Sequence, residues 1–204
     1  MKPRLVAVIL AGGAARRMGG GDKPLLDIGG RTMLQAVIDA VGLPDIAISA
    51  NGDPARFAAY NLSVLPDGDL AGQGPLAGLL AGLRWAATLQ AEVLLTAPGD
   101  MPFLPPGFAE KLLPAPRSVL ADNRQHHLLA TWPVSCAETL QSFLNTSQSR
   151  RVADFAAIIG TKPVEFPVVS RLIFANINTR QQLELAKMLA LSTNSAGDWG
   201  EFDA

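Results

Sequence analysis

The apolar run Leu5-Val6-Ala7-Val8-Ile9-Leu10-Ala11 ends in Gly12-Gly13 and is followed by Arg16-Arg17-Met18-Gly19 and Asp22-Lys23. Continuous apolar residues suit a strand covered on both faces, and such strands belong to parallel sheets flanked by helices. The glycine pair then lets backbone N–H groups approach an anion with no Cβ in the way. Arg16, Arg17 and Lys23 add positive charge that can answer a triphosphate. A buried strand running straight into a cationic glycine loop therefore predicts an α/β fold with a phosphate site at the carboxyl end of the strand. Two better-known phosphate loops do not fit, since no G-x-x-x-x-G-K-[ST] occurs and Gly12, Gly13 and Gly19 do not space as G-x-G-x-x-G.

The same alternation of short apolar runs and helical patterns continues along the chain, which predicts βαβ units and a mostly parallel sheet with helices on both faces. Strands are expected at 5–11, 46–50, 62–65 and 93–97, then near 117–121 and 127–132. Thr32 can cap a helix carrying Met33, Leu34, Val37, Ile38 and Val41 at helical spacing, with Gly42 closing it. Asp53-Pro54 opens a short helix, and another runs from Gly74-Pro75 to about Gln90. Helices are also expected near 135–144, 150–159 and 179–191. The 204 residues fit one domain, taken as 1–191, with a polar, glycine-containing tail over 192–204 that is expected to fray.

With 49% hydrophobic and 17% charged residues, the chain is expected to be compact rather than disordered. A formal net charge of −1 gives no reason to invoke nucleic acid, so attraction for anions must be local. The single Cys136 cannot form an intrachain disulfide, which fits a reducing cytoplasm. No stretch of ~18 apolar residues is present to span a membrane.

Gly12-Gly13, Asn51, Asp67 and Asp100 lie far apart in the chain, yet each follows one of the first four predicted strands. Parallel strands bring those ends together, and in open α/β sheets the ligand site lies at that edge. Asp100, between Gly99 and Met101-Pro102, is a candidate magnesium ligand. Magnesium takes one or two carboxylates plus substrate phosphates, and Asp67 or Asp69 could assist. The competing reading of Asp100 is a cap for a helix beginning near Pro105-Pro106.

The order Leu10-Ala11-Gly12-Gly13, then Arg17-Met18-Gly19, then Asp22-Lys23 resembles the MobA-like nucleotidyltransferases, and among them the molybdenum cofactor guanylyltransferases. Gly74-Pro75-Leu76-Ala77-Gly78, Gly99-Asp100-Met101-Pro102 and Phe174-Ala175-Asn176-Ile177-Asn178-Thr179 resemble further family blocks in family order, so the likeness spans about 1–190. It implies a Rossmann-like, nucleotide-diphospho-sugar-transferase-like fold that joins GTP to molybdopterin, with or without its molybdenum, and releases pyrophosphate. A nucleotide half over about 1–104 and an acceptor half over about 105–191 follow. The resemblance carries nucleotide binding onto Leu10, Ala11, Gly12, Lys23 and Asp67, and magnesium and nucleotide onto Asp100. Gly13, Ser49, Asn51, Gly74, Pro75 and Gly78 complete the nucleotide set, and Arg17, Lys23 and Asp100 the catalytic one. Arg150, Arg151, Asn176 and Asn178, the last two closing a strand-like segment, are expected at the acceptor. Transient contacts with cofactor-insertion proteins are the expected partner class, with the oligomer left open.

Three positions depart from the family pattern. Ser49-Ala50-Asn51 replaces Asn-Ala-Asn, so the contact made by the first amide falls to the Ser49 hydroxyl or to Asn51. His126-His127 stands where His-Pro is usual, and adjacent strand residues are expected to point one histidine to solvent and one toward substrate. Arg180-Gln181-Gln182 replaces a proline and acidic residues, which should alter only the first turn of a helix. The nearest alternatives are a molybdopterin cytidylyltransferase or a sugar-1-phosphate nucleotidylyltransferase, and, more remotely, a non-catalytic nucleotide- or cofactor-binding protein.

Overall fold

A computed structural model describes residues 2–12, 22–167, 170 and 172–194. Its centre is a seven-stranded sheet of β1 (Leu5–Leu10), β2 (Ile46–Ser49), β3 (Ser63–Leu65), β4 (Val93–Pro98), β5 (Arg117–Ala121), β6 (Arg124–Pro133) and β7 (Lys162–Glu165), in the order β3-β2-β1-β4-β6-β5-β7. β1 pairs in parallel with β2 and β4, β2 with β3, and β5 with β7. β6 runs antiparallel to both its neighbours, β4 and β5, and is the one reversed strand.

Why the first strand is apolar throughout is visible in its packing. Ala7 and Ile9 face one core with Leu34 and Val37, while Val6 and Val8 face another with Leu76, Leu79 and Leu83. The first core is covered by α1 (Met33–Val41) and the second by α2 (Pro75–Thr88), α4 (Ala137–Thr146) and α5 (Val152–Ile158), so both faces of the sheet are buried. α3 (Phe108–Lys111) is a single turn, and α6 (Arg180–Asn194) packs Leu183 and Ala186 against Met33 and Ala36 of α1.

α1 is capped as expected: Thr32 Oγ1 accepts from the Gln35 N–H at 3.0 Å, and Gly42 takes a left-handed conformation while its N–H donates to the Ile38 carbonyl. α6 begins with a reciprocal cap. Gln182 Oε1 accepts from the N–H groups of Asn178 and Thr179, and Thr179 Oγ1 accepts from the Gln182 N–H. The helix runs to Asn194, and residues 195–204 of the expected tail lie outside the described residues.

Two segments differ from expectation. β7 was not predicted, because Lys162-Pro163-Val164-Glu165 is mostly exposed and has no apolar run. An edge strand needs only one bonded side, so its proline is tolerated. The segment around Asn176 and Asn178 is not strand-like. Phe174 has a φ of 59°, and hydrogen bonds from the N–H groups of Phe174 and Ile177 to the carbonyls of Phe103 and Asp100 fold it across the end of β4.

Candidate active site

The ends of β1 to β4 surround a cavity of about 530 Å³. Leu10, Ala11 and Gly12 enter it from β1, Ser49 and Asn51 from β2, Asp67 from β3, and Asp100 from β4. Gly74, Pro75 and Gly78 bring the first turn of α2 to the opposite wall, and Lys23 and Asn176 close the rim. Gly13 and Arg17, with Arg16, lie outside the described residues.

Three glycines line the cavity in different ways, and two of them are required by geometry, Gly74 and Gly78. Gly12 has nothing within 4 Å of where a Cβ would stand, so its backbone faces open cavity. Gly74 has φ +78° as it turns the chain into α2, a conformation that side chains disfavour. At Gly78 a Cβ would collide with Ser49 Oγ, so α2 approaches β2 only because this position is bare. Ser49, 4% exposed, is thereby held under the helix, while the amide of Asn51 is committed elsewhere. Asn51 Nδ2 donates to Asp67 Oδ2 at 2.6 Å, and the Asp67 N–H donates to Asn51 Oδ1 at 2.9 Å.

Lys23 and Asp100 meet as an ion pair, with Lys23 only 8% exposed. Lys23 Nζ also donates to Asn178 Oδ1 at 2.5 Å, and Asn176 Nδ2 donates to the second oxygen of Asp100 at 2.6 Å. The two asparagines expected at the acceptor hold the lysine and the carboxylate, and Asn176 alone of the two borders the cavity. This pairing follows from the fold of 172–178 across β4, which sequence spacing does not reveal.

Arg150 is also reassigned. Its guanidinium donates to the carbonyls of Leu144, Ser147 and Ser149 at the end of α4 and to Gln73 Oε1. Every nitrogen is engaged within the protein, so the side chain braces α4 against the loop before α2. Arg151, by contrast, is exposed and borders a second cavity of about 310 Å³ with Arg124, His126 and His127. The two cavities share Pro98, Leu128 and Asn176.

Both histidines are half-buried at this second space, the His126 ring 6.2 Å from that of Phe174 and His127 near Arg151. Burial lowers the pKa of His126 and nearby Arg124 and His127 add to the effect. Burial and Arg151 lower that of His127, whose Nδ1 is buried without a hydrogen-bond partner. Both rings are thus biased toward the neutral form. Cys136 is buried away from either cavity, and burial pushes its thiol up to about 11. Arg56 was not singled out in the sequence: it stands beside Asn51 and Asp22, and a lone arginine in a short helix carries no signal of such a position.

Residues 7–159 match the family model for the MobA-like NTP transferase domain. A molybdenum cofactor guanylyltransferase of Acidiphilium cryptum is 50% identical over 185 residues, covering 90% of this chain and 94% of that protein. One from Cereibacter sphaeroides is 44% identical over 192 residues, covering 91% and 97%. Among solved structures, a nucleotidyl transferase from Methanothermobacter has a TM-score of 0.72 at 18% identity, covering 94% of this chain and 99% of its own. Molybdopterin-guanine dinucleotide biosynthesis protein A from Archaeoglobus fulgidus gives 0.69 at 21% identity, covering 91% and 98%. These two likenesses concern the fold, which is that of the nucleotide-diphospho-sugar transferases. On the match across most of its length and on the sequence identities, the chain belongs to the MobA-like nucleotidyltransferases.

Proposed function

We propose that this protein transfers GMP from GTP to the terminal phosphate of molybdopterin, with pyrophosphate as the second product. The observation that carries the reading is the pair of adjoining cavities. One is rimmed by Lys23 and Asp100, the other by Arg151 and two histidines, and they share the wall of Pro98, Leu128 and Asn176. A nucleotide in the first and a phosphate-bearing acceptor in the second would place the reacting phosphates at that wall.

An oxygen of the acceptor phosphate attacks the α-phosphorus of GTP; a new P–O bond forms as the bond from the α-phosphorus to the bridging oxygen breaks, and that oxygen leaves with pyrophosphate. The nucleophile is already an anion, so no general base is required, and the work falls on positioning and charge neutralisation. Lys23 supplies a donor for phosphate oxygens beside Asp100. Arg151 is the cation placed to receive the acceptor phosphate. Neutral His126 and His127 offer ring nitrogens to polar groups of the acceptor.

The donor set fits magnesium. Asp100 is a hard carboxylate facing a cavity of triphosphate size, and among the described residues no cluster of three or more His, Cys, Asp or Glu forms a closed cage. One carboxylate completed by phosphates and water is the usual magnesium arrangement, and the ion would supply charge neutralisation. The buried thiol of Cys136 is compatible with the reducing cytoplasm.

Guanine selection falls to the cavity wall. The Ala11 N–H and Leu10 carbonyl already bond within the sheet, to Ser49 and Gly99, which leaves the Ala11 carbonyl, Gly12 and the turn into α2 to read the base. Orphaning a buried polar group costs about 1–3 kcal/mol, so two mismatched groups give discrimination on the order of 10²-fold against ATP. Pyrophosphate release from each of the four NTPs, with and without molybdopterin, tests the reading. Acceptor-dependent release with GTP is expected; equal kcat/KM for GTP and ATP would remove the selection argument, and preference for CTP would make the protein a cytidylyltransferase.

A further inference from the structure

We propose that Arg56 is a positioning residue for the nucleotide, tying the loop that delivers Lys23 to the Asn51–Asp67 pair across the cavity. The inference rests on the nucleotide reading of that cavity and adds a determinant outside its lining. Arg56 lies in the short helix Pro54–Tyr60, which Asp53 caps by accepting from the Ala55 N–H. Its Nη2 donates to the Asn51 carbonyl at 2.6 Å. Its Nε lies 3.1 Å from Asp22 Oδ2, a charge contact off the hydrogen-bond axis. The guanidinium sits 4.8 Å from the centre of the Phe57 ring, which fixes its plane.

Each contact reaches one element of the site. Asp22 directly precedes Lys23, whose buried ammonium must hold its place against phosphate. Asn51 carries Asp67 through two hydrogen bonds, so a shift of the Asn51 backbone moves both side chains. Gly52, between Asn51 and the helix, has φ +86°, a conformation side chains disfavour, and its Cβ position would lie 3.0 Å from Arg56 Nη1. With side-chain exposures of 26% and 31%, Arg56 and Asp22 are too wet for their charge pair to matter greatly to global stability. The bracket acts on geometry, where misplacement of about 1 Å can cost about 10²-fold.

Lysine is a poor replacement, because it lacks the planar fork whose Nε and Nη2 meet Asp22 and the Asn51 carbonyl from two fixed positions. Direct titration of GTP by calorimetry, steady-state kinetics and thermal denaturation of Arg56→Ala, Arg56→Lys and Asp22→Asn form the test. Arg56→Ala is expected to raise the Kd and KM for GTP on the order of 10- to 100-fold, leave the KM for molybdopterin within about twofold, and lower Tm by no more than the loss of one hydrogen bond accounts for. Arg56→Lys should fall within about threefold of the alanine variant. Arg56→Ala combined with Asp22→Asn should be scarcely worse than Arg56→Ala alone, since both break one bracket. A Kd for GTP unchanged in Arg56→Ala, full recovery by lysine, or a uniform fall in kcat with a lowered Tm and unchanged KM would overturn the proposal. If the unsubstituted protein binds no GTP, the nucleotide reading itself fails, a result distinct from binding that is indifferent to Arg56.

Discussion

The two ends of the cavity at the edge of β1 to β4 are built by different physics. At one end Lys23 and Asp100 are mostly buried, oppositely charged and hydrogen-bonded to Asn178 and Asn176, so charge and desolvation hold the geometry. At the other, Asn51 is exposed and pairs with Asp67 through its neutral amide, with Arg56 steadying its backbone. The first end has few alternatives available to it, because an unpaired buried charge is expensive. The second can adjust cheaply, which suits a surface that must close around a base and ribose. Chemistry belongs at the stiff end and recognition at the adjustable one.

The largest effect that would break this comparison is at Asp100. Asp100→Ala should lose at least 10²–10³ in kcat and should also lower stability, because it strands the Lys23 ammonium and the Asn176 amide together. Asp100→Asn keeps an oxygen for Asn176 and should fold better while remaining nearly as inactive. Turnover by Asp100→Asn within a few-fold of the unsubstituted protein would show that the charge is structural only.

A sharper and smaller contrast lies between neighbouring arginines. Arg150→Ala removes hydrogen bonds to three carbonyls and Gln73, so it should cost about 2 kcal/mol of stability and leave the molybdopterin KM unchanged. Arg151→Ala should do the reverse, with Tm unchanged and molybdopterin KM raised roughly tenfold, equivalent to about 1.4 kcal/mol. Melting curves beside acceptor kinetics decide it, and an acceptor defect in Arg150→Ala alone would invert the assignment.

The smallest effect is a pH dependence. His126 and His127 have lowered pKa values in the folded protein, so below the ordinary imidazole value of 6.5 the unfolded chain binds more protons than the folded one. Their contribution to stability is therefore complete above about pH 6.5 and is lost as the pH falls toward the folded values. Tm measured from pH 7 downward should fall less steeply in His126→Asn/His127→Asn than in the unsubstituted protein, and parallel curves would exclude these rings as the source.

The gathering of Gly12, Asn51, Asp67 and Asp100 around one cavity was legible in the sequence because these residues follow buried strands closely. Asn51, Asp67 and Asp100 each stand within a few residues of an apolar run, and parallel pairing makes neighbours of strand ends whatever the loops do. Asn176 and Asn178 were visible as a motif but not as partners of Asp100 and Lys23, since that depends on how 172–178 crosses β4. Arg150 and Arg151 look identical in sequence, and only the carbonyls left over at the end of α4 distinguish them. The strand β7 escaped because an exposed edge needs neither alternation nor an apolar run.

The reversal of β6 has a consequence for how such an enzyme can change. Thr96 of β4 stands opposite Ala130, so His127 and Leu128 lie further toward the reacting end of the sheet, beside Pro98. They are reached through a two-residue hairpin turn, Asp122-Asn123, in which both residues have positive φ. The acceptor wall is therefore the opening segment of a hairpin arm, whereas the phosphate wall is the terminus of buried parallel strands. Under the proposed function, altering that arm would exchange one acceptor surface for another without re-registering β1 to β3, which makes the hairpin a modular site for evolving or engineering new acceptors.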